Sequence, residues 1–88
     1  MYYVYVLQSL KDNLFYTGFT TDLPRRIAEH NNRQQASTLS RAPFKLIYYE
    51  WCLNKKDAIS REKYLKSGMG KKYIKNRIKD YLALEGDN

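Results

Sequence analysis

The 88-residue sequence predicts an α/β fold of the α+β kind: a small three-stranded, mostly antiparallel sheet flanked by about three helices, in the order β-β-α-β-α-α. Three observations lead there. Two short aromatic and β-branched runs, Tyr2 to Leu7 and Leu14 to Phe19, flank a polar connector, Gln8 to Asn13, which is the pattern of a β-hairpin. A nearly unbroken apolar run from Phe44 to Leu53 reads as a third strand covered on both faces. Capping residues followed by helically spaced apolar residues fill the remaining stretches.

The hairpin contains no Asn-Gly or Asp-Gly pair, so its turn type and register are open. A two- or four-residue loop places Tyr5 and Tyr16 on one face of the sheet, and a three-residue loop places them on opposite faces. Gly18 lies inside the second strand, where a glycine weakens pairing and often marks a close approach. Thr20-Thr21-Asp22-Leu23-Pro24 is a helix start, with capping residues and a proline in the first turn, where its missing N–H costs nothing. This helix should run to His30 or Asn31. Leu23 and Ile27 form its apolar stripe, and Arg26 and His30 stand four apart on an adjoining face.

Asn31 to Pro43 has no periodicity, and a loop of this length in a small domain is usually functional or mobile. Asn54 caps a helix to about Ser67, and Gly68-Met69-Gly70 breaks the chain. Lys71 to Leu82 then forms a basic amphipathic helix with Ile74, Ile78, Tyr81 and Leu82 inward. Residues 1–83 read as one domain and 84–88 as a frayed tail.

With 43 % hydrophobic and 15 % aromatic residues, the chain has the composition of a folded domain. Sixteen Lys and Arg against nine Asp and Glu give a net charge of +7, which suits a polyanion as well as simple solubility. Cys52 is the single cysteine, so an intrachain disulfide and a cysteine-based zinc site are both excluded. The first residues lack a signal-peptide pattern and no stretch has membrane-spanning length. The expectation is a reduced, cytoplasmic protein without a membrane partner.

Glu62 is the most informative residue. It projects between Ala58 and Ile59, inside the apolar arc of its helix, where a carboxylate is costly unless paired, hydrogen-bonded or bound to a metal. A salt bridge with Arg26, metal ligation and a half-exposed position all satisfy that requirement. Tyr5 and Tyr16 are eleven residues apart on adjacent strands, and strand propensity alone accounts for two such tyrosines. Arg25 can pair with Glu29, while Arg26 could be solvated. His30, the single histidine, suits a structural role as well as a chemical one.

Tyr3-Val4-Tyr5, then Tyr16-Thr17-Gly18, then Asp22-Leu23-Pro24-Arg25-Arg26 with His30, and downstream Ser60 to Lys66, together resemble the GIY-YIG nuclease superfamily. Gly68 to Tyr73 extends the likeness to its small stand-alone bacterial branch, which is similar to the N-terminal nuclease domain of the excision-repair 3′-incision subunit. The resemblance implies an endonuclease with Tyr5 as general base or proton relay. Tyr16 would position water or the phosphate, Arg26 would stabilise phosphate charge and His30 would assist. Glu62 would be the sole protein ligand of Mg²⁺ or Mn²⁺. Asn76 is a weak further candidate, since it projects away from the apolar arc of its helix. Tyr3 replaces the glycine of the first motif, which could alter how closely substrate approaches that strand.

A single carboxylate leaves most of the coordination of such an ion to water and substrate phosphates. Phenolate formation by Tyr5 at pH 7 costs roughly 4 kcal/mol from its reference pKa, a gap that Arg26 and the ion should narrow. The implied partner is nucleic acid, with DNA the leading choice, contacted by Arg33, Arg41, Lys55, Lys56, Lys71, Lys72 and Lys75. Such contacts position a backbone without reading sequence. A catalytically silent binding module, or a basic surface docking an acidic protein, would leave the same charge pattern.

Overall fold

A computed structural model describes residues 1–36 and 38–86. Three strands, β1 (Tyr2–Ser9), β2 (Phe15–Thr20) and β3 (Phe44–Cys52), form one antiparallel sheet in the order β2-β1-β3. Helix α1 (Leu23–Asn31) lies between β2 and β3 in sequence, and α2 (Lys55–Lys66), α3 (Gly68–Arg77) and α4 (Lys79–Gly86) follow. The fold is α+β, with the predicted element order.

Alternation along β1 divides the core into two layers. Val4 and Val6 point to one face, where they pack with Ala58, Leu65 and Ile74 from α2 and α3. Tyr5 and Leu7 point to the other, beneath Leu23 of α1 and beside Ala42 and Phe44. The strand that pairs on both sides is therefore the one with every residue from Val4 to Leu7 buried. Period-two alternation with apolar residues at both phases is what a central strand needs.

That assignment corrects the expectation for Phe44 to Leu53. β3 is an edge strand, with Tyr49 and Trp51 each about half exposed (51 % and 53 %), so a continuous aromatic run here does not mean burial on both faces. The register shift between Val6 and Leu7 interrupts its pairing with β1, a feature frequent at sheet edges.

The helix starts follow local chemistry. Asp22 accepts a hydrogen bond from the Arg25 amide, and Asn54 accepts one from the Lys56 amide, each satisfying a donor that the helix leaves open. Beyond α2 the structure departs from expectation. The helix does break beside Gly68-Met69-Gly70, but at Ser67: the three residues themselves form the first turn of α3, capped by Ser67, whose Oγ accepts from the Gly70 amide. A second break falls at Ile78, dividing the expected Lys71 to Leu82 helix between α3 and α4. Ile74 is buried and Ile78 and Leu82 half-buried, whereas Tyr81 is exposed rather than inward. The reason for the glycine is steric: a Cβ on Gly70 would overlap the Tyr64 carbonyl and the Leu65 backbone, so only glycine lets α3 start against the end of α2. α4 extends to Gly86, and the last two residues of the expected tail lie outside the described residues.

Arg61 ties this side together. Its guanidinium lies 5.2 Å from the Tyr64 ring centroid and 4.8 Å from that of Tyr73, and it forms an ion pair with Glu50 of β3.

Candidate active site

The hairpin register decides what the tyrosines can do. Ser9 and Leu14 close a four-residue loop, Leu10 to Asn13, with Asn13 in the left-handed region at φ 62°. Leu7 therefore faces Tyr16 and Tyr5 faces Gly18, which places both tyrosines on the α1 face of the sheet. This is the even-numbered loop among the alternatives open from sequence. Their ring centroids are 6.5 Å apart. The Tyr5 ring lies across Gly18, where any Cβ would overlap its hydroxyl, so the close approach marked by this glycine is that of a side chain.

Tyr5 is completely buried and its hydroxyl joins two groups carried by α1. His30 Nε2 is 2.9 Å away, and Arg26 Nε donates to the same oxygen at 3.4 Å. The four-residue spacing of Arg26 and His30 puts both on the helix face toward Tyr5. His30 Nδ1 lies 2.7 Å from Thr38 Oγ1, and the Thr38 hydroxyl can donate in turn to the Gln35 carbonyl at 3.4 Å. One proton arrangement satisfies every group: Arg26 donates to Tyr5, Tyr5 to His30 Nε2, His30 Nδ1–H to Thr38, and Thr38 to Gln35. Tyr16 stands edge-on to the imidazole at a centroid distance of 5.0 Å, and Phe44 packs against both rings, 5.9 Å from the imidazole and 6.4 Å from Tyr16.

Burial dominates the electrostatics. It pushes the Tyr5 phenol up to about 12, with Tyr16 and Glu62 pushing the same way and Arg26 pulling against them. The expected influence of Arg26 has the expected sign, but desolvation outweighs it. The protein alone thus widens the gap to phenolate at pH 7, to roughly 7 kcal/mol. His30 moves downward, first through burial and then through the nearby Arg26 charge, so its imidazole is neutral at pH 7.

Arg26 and Arg25 share one acid. Arg26 Nη1 is 3.3 Å from Glu29 Oε1 and Arg25 Nε is 3.4 Å from Glu29 Oε2. Only Arg26 also contacts Tyr5; Arg25 stays largely in solvent. A cavity of about 230 Å³ lined by Thr20, Thr21, Asp22, Arg25, Arg26 and Glu29 opens beside them.

Glu62 is carried by α2 on the opposite layer, yet its charge acts on the Tyr5 phenol. Its side chain is 20 % exposed and pairs with Lys66, itself 54 % exposed, at 3.0 Å. The ion pair considered with Arg26 is thus not formed. Among the described residues, no group of three His, Cys, Asp or Glu is placed to hold a metal ion. What Glu62 offers is one half-buried carboxylate whose partner is a half-exposed lysine. That donor set fits a hard divalent ion completed by water and phosphate oxygens, and does not fit a closed all-protein cage.

The basic residues divide into separate groups. Arg41, Lys71 and Lys75 line a cavity of about 450 Å³ together with Asp12, Asn13, Leu14 and Phe15. Arg41 is held there by Asp12 at 3.0 Å, and Lys75 lies 5.9 Å from the Phe15 ring centroid. Lys72 is exposed on α3, Lys55 and Lys56 on the first turn of α2, and Arg33 just beyond α1. Asn76 is exposed on α3. Sequence reasoning missed Thr38, Glu29 and Phe44 as partners of the site. Thr38 reaches it from within the aperiodic loop and Phe44 from just beyond it, and no local pattern signals that; Glu29 at four residues from Arg25 was visible, but not its second bond to Arg26.

A buried tyrosine bonded to a helix-borne arginine and histidine, with a second tyrosine on the paired strand, defines the site of a small α+β domain. The family model described as GIY-YIG catalytic domain matches residues 1–75, and the chain belongs to that family. It is 49 % identical over 67 residues to a UPF0213 protein of Clostridium perfringens, covering 75 % of this chain and 71 % of that one. A UPF0213 protein of Haloquadratum walsbyi is 38 % identical over 86 residues, 97 % of this chain and 89 % of its own. Another, from Pediococcus acidilactici, is 41 % identical over 81 residues, 85 % and 82 % of the two chains. No solved structure matches the chain. No helix among the described residues is long and apolar enough to cross a membrane.

Proposed function

We propose that this chain is a structure-selective, sequence-tolerant endonuclease that hydrolyses phosphodiester bonds in DNA within the cytoplasm, with Mg²⁺ or Mn²⁺ held at Glu62. The observation that carries this reading is the bonded series Arg26–Tyr5–His30, beside Tyr16 and within electrostatic reach of Glu62. Membership of a nuclease family supports it. A divalent ion at Glu62 would supply Lewis acidity and neutralise charge on the phosphate.

The remaining chemistry falls to the chain's own residues. A free phenolate is too costly, so Tyr5 acts as a relay: its oxygen takes a proton from the attacking water while its own proton passes to His30 Nε2. His30 rests neutral with Nδ1 held by Thr38, which leaves Nε2 as the acceptor; burial and the Arg26 charge weaken it as a base, so it holds the proton only briefly. Arg26 stays charged and offers its outer guanidinium nitrogens to the phosphate. Tyr16 positions the water or phosphate.

Single-stranded, branched and flapped DNA incubated with Mg²⁺ or Mn²⁺ tests the proposal. Wild type should cut at least one of these, Glu62→Ala none, and Tyr5→Phe should bind DNA without cutting it. Arg26→Ala should lose both rate and phosphate affinity, whereas Arg25→Ala should keep most of each. Equal inertness of wild type and Glu62→Ala on every substrate would identify a silent binding module instead.

A further inference from the structure

The α1 face of the sheet carries rings that the core does not use. Tyr49 sits directly across from Tyr5, and Trp51 directly across from Tyr3, so all four side chains emerge on one side. α1 covers Tyr5 but leaves Tyr49 and Trp51 half exposed, with Tyr3 half-buried beside them on β1. The Tyr3 and Tyr49 rings are 6.2 Å apart. Tyr3 occupies the first-motif position where the sequence departs from glycine, and the structure shows that this ring widens the aromatic surface. Lys55 and Lys56 follow shortly after Trp51, exposed and without an ion pair among the described residues.

Large aromatics held half in solvent on a rigid sheet need a reason, because each exposes apolar area that burial would stabilise. Two half-exposed rings present on the order of 200 Å², far below the roughly 800 Å² per partner of a stable protein interface. That area matches one or two nucleobases, each of which has a face to stack whatever its identity. The neighbouring cations suit the phosphates between such bases.

We propose that Tyr49 and Trp51, extended by Tyr3, form a stacking platform for unpaired bases of a single-stranded nucleic acid, one strand away from Tyr5. The platform deepens the nuclease reading and rests on its claim that nucleic acid is bound. It selects single strands over duplex, because bases in a duplex keep their faces stacked on each other.

Trp51 is the only tryptophan, so its fluorescence reports the platform directly. The full chain is titrated with oligo(dT) of about 12 nucleotides, with a duplex of equal length and with heparin, while anisotropy of labelled DNA measures binding independently. Oligo(dT) should quench Trp51 emission with the same midpoint as the anisotropy, whereas heparin should bind without quenching. Trp51→Ala should weaken oligo(dT) binding about tenfold or more, leave duplex binding within about twofold, and be largely rescued by Trp51→Phe. Binding without quenching would overturn the platform and leave the nucleic-acid reading standing. Absence of any DNA binding at low salt would overturn both. A wild-type dimer that Trp51→Ala converts to monomer would make the surface a self-interface and overturn the platform.

Discussion

His30 joins sequence to function through its burial. A single imidazole with no exposure, bonded at both nitrogens, rests in its neutral form, and its downward shift has a stability consequence. Because the folded pKa lies below the unfolded value of about 6.5, the unfolded chain binds the extra proton first as pH falls. Stability is therefore complete above pH 6.5 and declines below it, by at most about 1.4 kcal/mol per pH unit. Urea midpoints from pH 7.5 to 5 should fall for wild type and flatten for His30→Gln; a flat wild-type profile would mean that the imidazole is not the sensor. Reading the sequence singled out Tyr5, Tyr16, Arg26 and His30 through their likeness to the GIY-YIG motifs, since spacing alone leaves each with a structural explanation. It left three readings for Glu62, whose surroundings depend on how α2 lies against the sheet, and it overestimated Arg26, because desolvation is a property of the packed core.

At the scale of elements, two glycines set how tightly neighbours meet. Gly18→Ala would drive a methyl into the Tyr5 hydroxyl, and Gly70→Ala would drive one into the backbone at the end of α2. Each should destabilise the chain by about 1–3 kcal/mol in chemical denaturation. They differ in mechanism: Gly18→Ala displaces the phenol from His30 and should lose more activity than stability, whereas Gly70→Ala should act mainly through stability. Equal ratios of activity to folded protein in the two variants would refute that distinction. Helix starts were legible because Asp22 and Asn54 cap by short-range bonds. The α3 boundary was not, since glycine reads as a breaker unless the lack of room at Gly70 is known. β3 was misread for a related reason: composition reports that a strand has apolar side chains, not that something covers them.

For the molecule as a whole, a net charge of +7 divides into patches, with Arg41, Lys71 and Lys75 around one cavity and Lys55 and Lys56 at the start of α2. Binding to DNA should weaken linearly on a log–log plot against salt, and each phosphate contact removed should lower the slope by about 0.7 to 0.9. Replacing Lys71 and Lys75 together should therefore flatten it by about 1.5, checked by anisotropy across a salt series. An unchanged slope would place the phosphates elsewhere. The sealed imidazole has one more consequence. With no solvent-facing nitrogen, His30 should resist acylation by diethyl pyrocarbonate in the native chain and react only when the domain opens. The rate of carbethoxylation, followed by absorbance as urea is added, should then track the unfolded fraction and serve as a chemical clock for global opening.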